Sequence, residues 1–444
     1  MTSIWRAHDT GPTEVSGGPR EARRYHTGVV SPFLPDADKV AAIRDLMPAT
    51  GAGIYLNAGT AGPMSAETQR AMDDQAAREL AVGRAHMDLW PETQERMNEA
   101  RASVAAVLVA DPDDIALTHS TTDGMGLALG ALPWRPGDRA VTTNHEHPGG
   151  LGPLLAARAR HGIELAHADI GDGGDDEATL AAIARALAGG ARAVMVSHVL
   201  WTTGAVLPVA RIAALAHEAD AVMIVDGAQG AGAVTFAVED LGADAYALPA
   251  QKWLLGPEGM GALWASRTFA DSVVAPAAGW LSYATFDRDA PVLHPGARRF
   301  EATNFHRPSL IGFARSLGWL SMYVGLPWAR DRAGRLAAGA AERLASIPNV
   351  EVITPRSRMG TLVTFRISGW SAPAAVEELG QRAFAIVREI ASLDAIRISV
   401  GFWNTDAELD RFANVVELLA AHGPGALPPL RRLAILDGDG RPLA

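Results

Sequence analysis

Short apolar runs alternate with amphipathic stretches through the middle of the chain. The runs fall at 115–118, 139–143, 164–168, 193–197, 222–225, 245–248 and 261–264. The run 222–225 is wholly apolar, as expected of a parallel strand covered on both faces. Between the runs, periodicity predicts helices at 150–160, 177–187 and 209–218. Repeated strand–helix alternation predicts an α/β protein with a mostly parallel seven-stranded sheet. Upstream, Ser65 caps a helical pattern with Glu67 in its first turn, Pro91 interrupts it, and a second helix runs to about 110. Helices at 309–324 and 327–345 follow the sheet. The pattern then restarts with strands at 350–353 and 361–367, a helix at 374–391, a strand at 395–400 and a helix at 405–421. This predicts a smaller C-terminal α/β domain. The division expected is an arm at 1–50, a large domain at 51–315 and a small domain at 316–444. The arm is rich in Gly, Pro and charge, with one short helical pattern at 37–46, and is expected to pack on a neighbour or to be partly disordered. The Pro/Gly-rich tail from 423 is expected to pack loosely.

Composition narrows the function classes. The 444 residues are 48% hydrophobic, enough for one large core and a second smaller one. A net charge of −11 argues against nucleic-acid or membrane-surface partners. With no cysteine there is no disulfide, no zinc–thiolate site and no persulfide carrier. No apolar run approaches the ~18 residues of a membrane span, and the start lacks a signal-peptide core. The expectation is a cytoplasmic globular enzyme.

Candidate chemistry gathers at the ends of the predicted strands. Lys252 follows the strand 245–248 and precedes the turn Gly256-Pro-Glu-Gly259. A lysine between buried strands is costly unless it has a task, and one such task is an imine with an aldehyde cofactor. Taken alone, a snorkelling surface lysine is the plainer reading. Asp226 sits at the carboxyl end of its strand, where open α/β sheets place ligand groups, and taken alone reads equally as a helix cap. The stretch 115–130 reads as strand, loop and helix, and a helix amino end is a ready phosphate seat, with Ser120, Thr121 and Thr122 adding hydroxyls. Plain N-capping is one rival. A dinucleotide site built on Gly124, Gly126 and Gly130 with Glu146 is another, but the glycine spacing is one residue too long. His147 reads from the residues as a surface histidine or as a metal pair with His145; a metal would need a third ligand the sequence does not announce.

The strand-Asp226-Gly-Ala-Gln229 turn followed by Gln251-Lys-Trp-Leu-Leu-Gly-Pro-Glu-Gly-Met-Gly261 resembles the class V aminotransferase family of pyridoxal-phosphate (PLP) enzymes. The nearest branch in likeness is that of isopenicillin N epimerase and C–S lyases, with cysteine desulfurases as relatives, and the likeness runs from about 55 to 422. It implies fold type I and the cofactor pyridoxal 5′-phosphate. By that resemblance Lys252 carries the cofactor, Asp226 pairs with the pyridine nitrogen, Gln229 reaches the ring's 3-oxygen and His147 stacks on the ring. Ser120, Thr121, Thr122 and Gln251 hold the phosphate, and Thr303 reaches a neighbour's phosphate, which implies a homodimer with shared active sites. Asn57, Trp201, Arg397 and Phe402 border the substrate, with Arg397 on its α-carboxylate. Trp201 stands where desulfurases carry Asn. Three reactions on a small amino-acid substrate stay open: C–S lysis of a cysteine conjugate or S-substituted cysteine, which is preferred, epimerisation, and transamination. Outside the PLP class, the rivals are a nicotinamide oxidoreductase and a cofactor-free binding scaffold.

Overall fold

The computed structural model describes residues 36–429. Seven strands form one sheet in the order Ile115–Thr118, Gly261–Ala265, Ala245–Pro249, Val222–Asp226, Ala193–Ser197, Arg139–Thr143, Glu164–Ala168. Gly261–Ala265 runs antiparallel to both neighbours, and the other adjacent pairs are parallel. Strand alternation sorts side chains into two cores. Val194, Val196, Met223, Val225 and Leu248 enter one. Ala193, Met195, Ile224, Ala245 and Ala247 enter the other, under the helix Thr121–Gly130. That helix lies close because it carries Gly124: a Cβ there would meet the Ala247 Cβ at 2.9 Å. Asp226 and Ser197 are register partners on this second face.

A four-stranded antiparallel sheet follows, in the order Val350–Val352, Leu362–Ile367, Ala395–Ser399, Arg388–Ile390. One face buries Val363, Phe365, Ile396 and Ile398 with the helices Leu326–Ala345, Ala372–Ala383 and Asp406–Ala421. The opposite face turns Leu362, Thr364, Arg397 and Ser399 toward the large sheet. The segment Ile54–Tyr55 pairs in parallel with Ala385–Ile386, and Ile54 and Leu56 enter the small sheet's core. Thr405 and Glu408 form a capping box at the head of Asp406–Ala421.

Three expectations need correction. The helix predicted at 374–391 ends at Ala383, where Phe384 takes a left-handed conformation at φ 53°, and two short strands replace its second half. Residues 36–50, placed in the arm, pack into the core of their own chain. Ile43 and Met47 are fully buried in the main core, and Arg44 donates to the Trp403 carbonyl and to Glu408. The remainder of the predicted arm lies outside the described residues. The break between the early helices falls at 83–88, and Pro91 sits in the first turn of Leu89–Leu108, where its missing N–H costs nothing.

Candidate active site

The carboxyl ends of the central strands bring Asp226, Lys252, Glu146 and His147 together. Asp226 is 3% exposed, and its Oδ1 accepts from the Ala228 N–H at 2.9 Å. The start of the helix Pro148–His161 passes against it: a Cβ on Gly150 would lie 3.2 Å from Asp226 Oδ2. Burial raises the Asp226 pKa, opposed by the nearby Lys252 ammonium. Burial lowers Lys252 to about 8, opposed by Asp226 and assisted by Arg397 and Arg388. Each group is thus the other's main charge partner in a dry setting. A lysine near 8 has a usable neutral fraction near neutral pH, as imine chemistry requires.

Glu146 is buried just after the strand Arg139–Thr143. Its oxygens accept from Thr143 Oγ1 and Ser197 Oγ, both at 2.6 Å. Burial, with Asp226 adding to it, raises its pKa to about 7. These inward contacts turn it away from any ribose, which removes the basis of the dinucleotide reading. His147 caps its helix by accepting from the Gly149 N–H at Nδ1, which places its proton on Nε2. Burial holds its pKa near 4, so it is neutral. Its ring meets Trp201 edge-on with centroids 5.1 Å apart. His145 is engaged by Thr202 Oγ1 and the Gly171 carbonyl.

Ser120 caps the helix Thr121–Gly130, accepting from the Asp123 N–H at 3.1 Å. Thr121 is buried and Thr122 is exposed at the helix start, with its Oγ1 beside Gly149. Gln229 donates to the Gly59 carbonyl and accepts from Trp253 Nε1, so its amide is largely committed to the protein. Gln251 Oε1 is buried without a partner. Thr303 is exposed, on a loop anchored to its own chain by the buried pair Arg101–Glu301 and by Phe305 stacked on His119.

The small sheet supplies the facing wall. Arg397 is 1% exposed; Nη1 donates to the Trp201 carbonyl at 2.8 Å, while Nε and Nη2 have no partner. Burial, then the neighbouring Arg388, pulls its pKa down to about 9. The loop bearing Trp201 is stitched to this sheet. Thr364 Oγ1 donates to the Thr202 carbonyl, Thr354 Oγ1 to the Thr203 carbonyl, and Arg358 and Val206 exchange bonds. Asn57 sits in a β-bridge with Ser399, and its Oδ1 accepts from Thr60, a contact that stabilises its turn.

Phe402 belongs elsewhere. Its ring packs edge-on against Trp328 and Trp403 in the main core, and its carbonyl accepts from Arg332. The turn after the strand points it inward, with Gly401 N–H held by Asn404. Sequence reasoning missed Arg388, which donates to Thr60 Oγ1 at 3.0 Å and lies 6.0 Å from the Trp201 ring. The signal was the short apolar run Phe384-Ala-Ile-Val387 ahead of it, hidden by the over-long predicted helix. It also missed Glu146 as a site acid and Ser399 as an orphaned buried hydroxyl.

These groups suit PLP. A half-buried amine of lowered pKa stands in the field of a buried acid, beside a neutral imidazole and a capped helix amino end. With the seven-stranded sheet they define a fold-type-I PLP enzyme. The chain belongs to the class-V aminotransferase family, whose family model matches residues 54–412. It is 26% identical over 385 residues to a probable cysteine desulfurase of Methanothermobacter thermautotrophicus, covering 83% of this chain and 95% of that one. It is 28% identical over 394 residues to isopenicillin N epimerase of Streptomyces clavuligerus, covering 82% and 94%. Among solved structures it is similar to the cystine C–S lyase C-DES in complex with cysteine persulfide. There the TM-score is 0.79 at 25% identity, covering 85% of this chain and all of that one. A C-DES variant with glycine covalently linked to PLP superposes equally well. Among the described residues no helix is long and apolar enough to cross a membrane.

Proposed function

We propose that this enzyme is a C–S lyase that eliminates a thiol from an S-substituted cysteine or cysteine conjugate. The observation that carries the reading is the facing of Lys252, lowered to about 8 beside Asp226, by a buried Arg397 that no acid balances. Lys252 would hold the cofactor, with Asp226 at its ring nitrogen, Ser120, Thr121, Thr122 and Gln251 at its phosphate, and Gln229 and neutral His147 around its ring. Bound there, PLP supplies an aldehyde for the substrate's amino group and a sink for charge left on Cα. Arg397 would fix the α-carboxylate and so set which Cα bond faces Lys252. Lys252 would accept the Cα proton, and the Cβ–S pair would leave with sulfur, giving thiol, pyruvate and ammonia after hydrolysis. His147 near 4 stays neutral throughout the working range and can offer only its Nε2 proton. The lack of any cysteine favours thiol release over persulfide transfer. Trp201 bounds the side-chain pocket, and Arg388 beside it suits a leaving group that carries an acid.

The likeness to isopenicillin N epimerase supports a second reading, in which the Cα proton returns to the opposite face. Incubation with S-methyl-L-cysteine decides. Methanethiol and pyruvate in equal amounts are expected. Loss of optical rotation without pyruvate transfers the assignment to the epimerase, and keto acid formation that needs an amino acceptor transfers it to an aminotransferase. A homodimer is part of the proposal, with Thr303 of each chain at the neighbour's phosphate site. Monodisperse monomer with bound cofactor would contradict it.

A further inference from the structure

We propose that Ser399 is a second donor to the substrate's α-carboxylate, forming with Arg397 one anion seat in the notch left by Gly59. The proposal rests on the reading of Arg397 as the carboxylate site. Ser399 and Arg397 lie two apart on the strand Ala395–Ser399, so both project from the face turned to the large sheet. Both are buried, at 0% and 1% exposure. Among the described residues Arg397 Nε and Nη2 and Ser399 Oγ have no hydrogen-bond partner. Buried polar groups in native proteins are almost always satisfied, so three orphaned atoms on adjacent side chains point to a partner that arrives later.

Their convergence has a definite location. The point where a Cβ on Gly59 would sit is 2.8 Å from Arg397 Nη2 and 2.8 Å from Ser399 Oγ, so both donors crowd against Gly59 and lie close enough together for one carboxylate beside it to meet both. Gly59 has no positive φ, so what its lack of a side chain provides is space rather than conformational freedom. The backbone around this point is fixed. Gly59 O is held by Gln229 Nε2, and Ser399 N–H donates to the Leu56 carbonyl at 2.7 Å. Nη1 of Arg397 is already spent on Trp201, which leaves Nε, Nη2 and the hydroxyl as donors. A carboxylate has two oxygens with about four acceptor directions and can satisfy all three. An amide offers one such oxygen and brings an NH2 against the guanidinium. The seat therefore selects α-amino carboxylates over their amides.

The test is a titration of the PLP-loaded enzyme with L-alanine and with L-alaninamide, following the visible spectrum. Wild type should bind L-alanine the more tightly. In Ser399→Ala the L-alanine affinity should fall about tenfold, with the amide changed by less than about twofold. The melting temperature should not fall, because the hydroxyl lost has no partner in the protein. Gly59→Ala should weaken L-alanine selectively with Ser399 intact, by filling the notch. An L-alanine affinity left unchanged in Ser399→Ala overturns the role of Ser399 alone. A Ser399→Ala protein that loses both probes equally, or melts lower, assigns the hydroxyl to structure and overturns it too. A wild type that does not discriminate, or binds neither probe, overturns the carboxylate reading of Arg397 beneath it.

Discussion

Two buried arginines sit in different parts of this molecule and are treated in opposite ways. Arg101, in the large region, meets Glu301 in a fork: Nε to Oε1 at 2.8 Å and Nη2 to Oε2 at 2.6 Å, with the acid also accepting from the Leu117 N–H. Arg397, on the small sheet, is buried as deeply but faces a second guanidinium instead of an acid. The first is complete as folded and ties the 301–305 loop to the sheet. The second has a charge and two donor atoms left over. Burying an ion without a counter-ion costs several kcal/mol. The contrast separates an ion pair that maintains the fold from a cation without a counter-ion, the one proposed to meet the substrate's carboxylate.

That contrast can be pressed from several sides. The largest effect concerns the cation of the large sheet, Lys252. Lys252 is balanced in part by Asp226, and Lys252→Ala should abolish the borohydride-sensitive visible band and cut pyruvate formation by at least about 10³-fold. A retained band would remove Lys252 as the anchor. Next, the two arginines should part company. Glu301→Gln should destabilise the fold by about 3–5 kcal/mol in denaturant titrations, because it strands Arg101. Arg397→Met should raise KM for an S-alkyl cysteine by about 10–100-fold with no loss of melting temperature. If Arg397→Met melts lower than Glu301→Gln, the distinction is void.

Smaller in size is a pH effect. A lowered amine pKa means that Lys252 is half neutral at about pH 8 instead of 10.5. PLP loading of apo-protein should therefore quicken as pH rises toward 8 and level off above it. A rate still climbing steeply at pH 10 would show an amine that burial leaves unperturbed. Smallest is a control far from the cleft. Thr405→Ala removes the capping box of Asp406–Ala421 and should cost about 1 kcal/mol without altering the loaded spectrum.

How much of this could be read from residues alone follows from what each depends on. Asp226 and Lys252 were legible because strand ends position ligand groups in any parallel sheet, and wholly apolar runs mark such strands. Arg397 was legible through its place in a recognisable stretch. Its lack of an acid partner was not, since that depends on what a distant segment brings near it. Arg388 was hidden because residues 374–391 score as one helix. What ends that helix is tertiary: strand Ile54–Tyr55, some 330 positions earlier, pairs with Ala385–Ile386. Phe402 misled because an aromatic after a site strand looks the same whether it turns to the cleft or to the core.

The stitching of the 202–206 loop has a consequence for how the pocket can adapt. Trp201 belongs to the large region in sequence, yet its loop is bonded through Thr364, Thr354 and Arg358 to the opposite wall. Its own carbonyl is grasped by Arg397. Should the C-terminal layer rock on its neighbour, the indole travels as its passenger, so the gap for the side chain and the aim of the guanidinium are reset in one stroke.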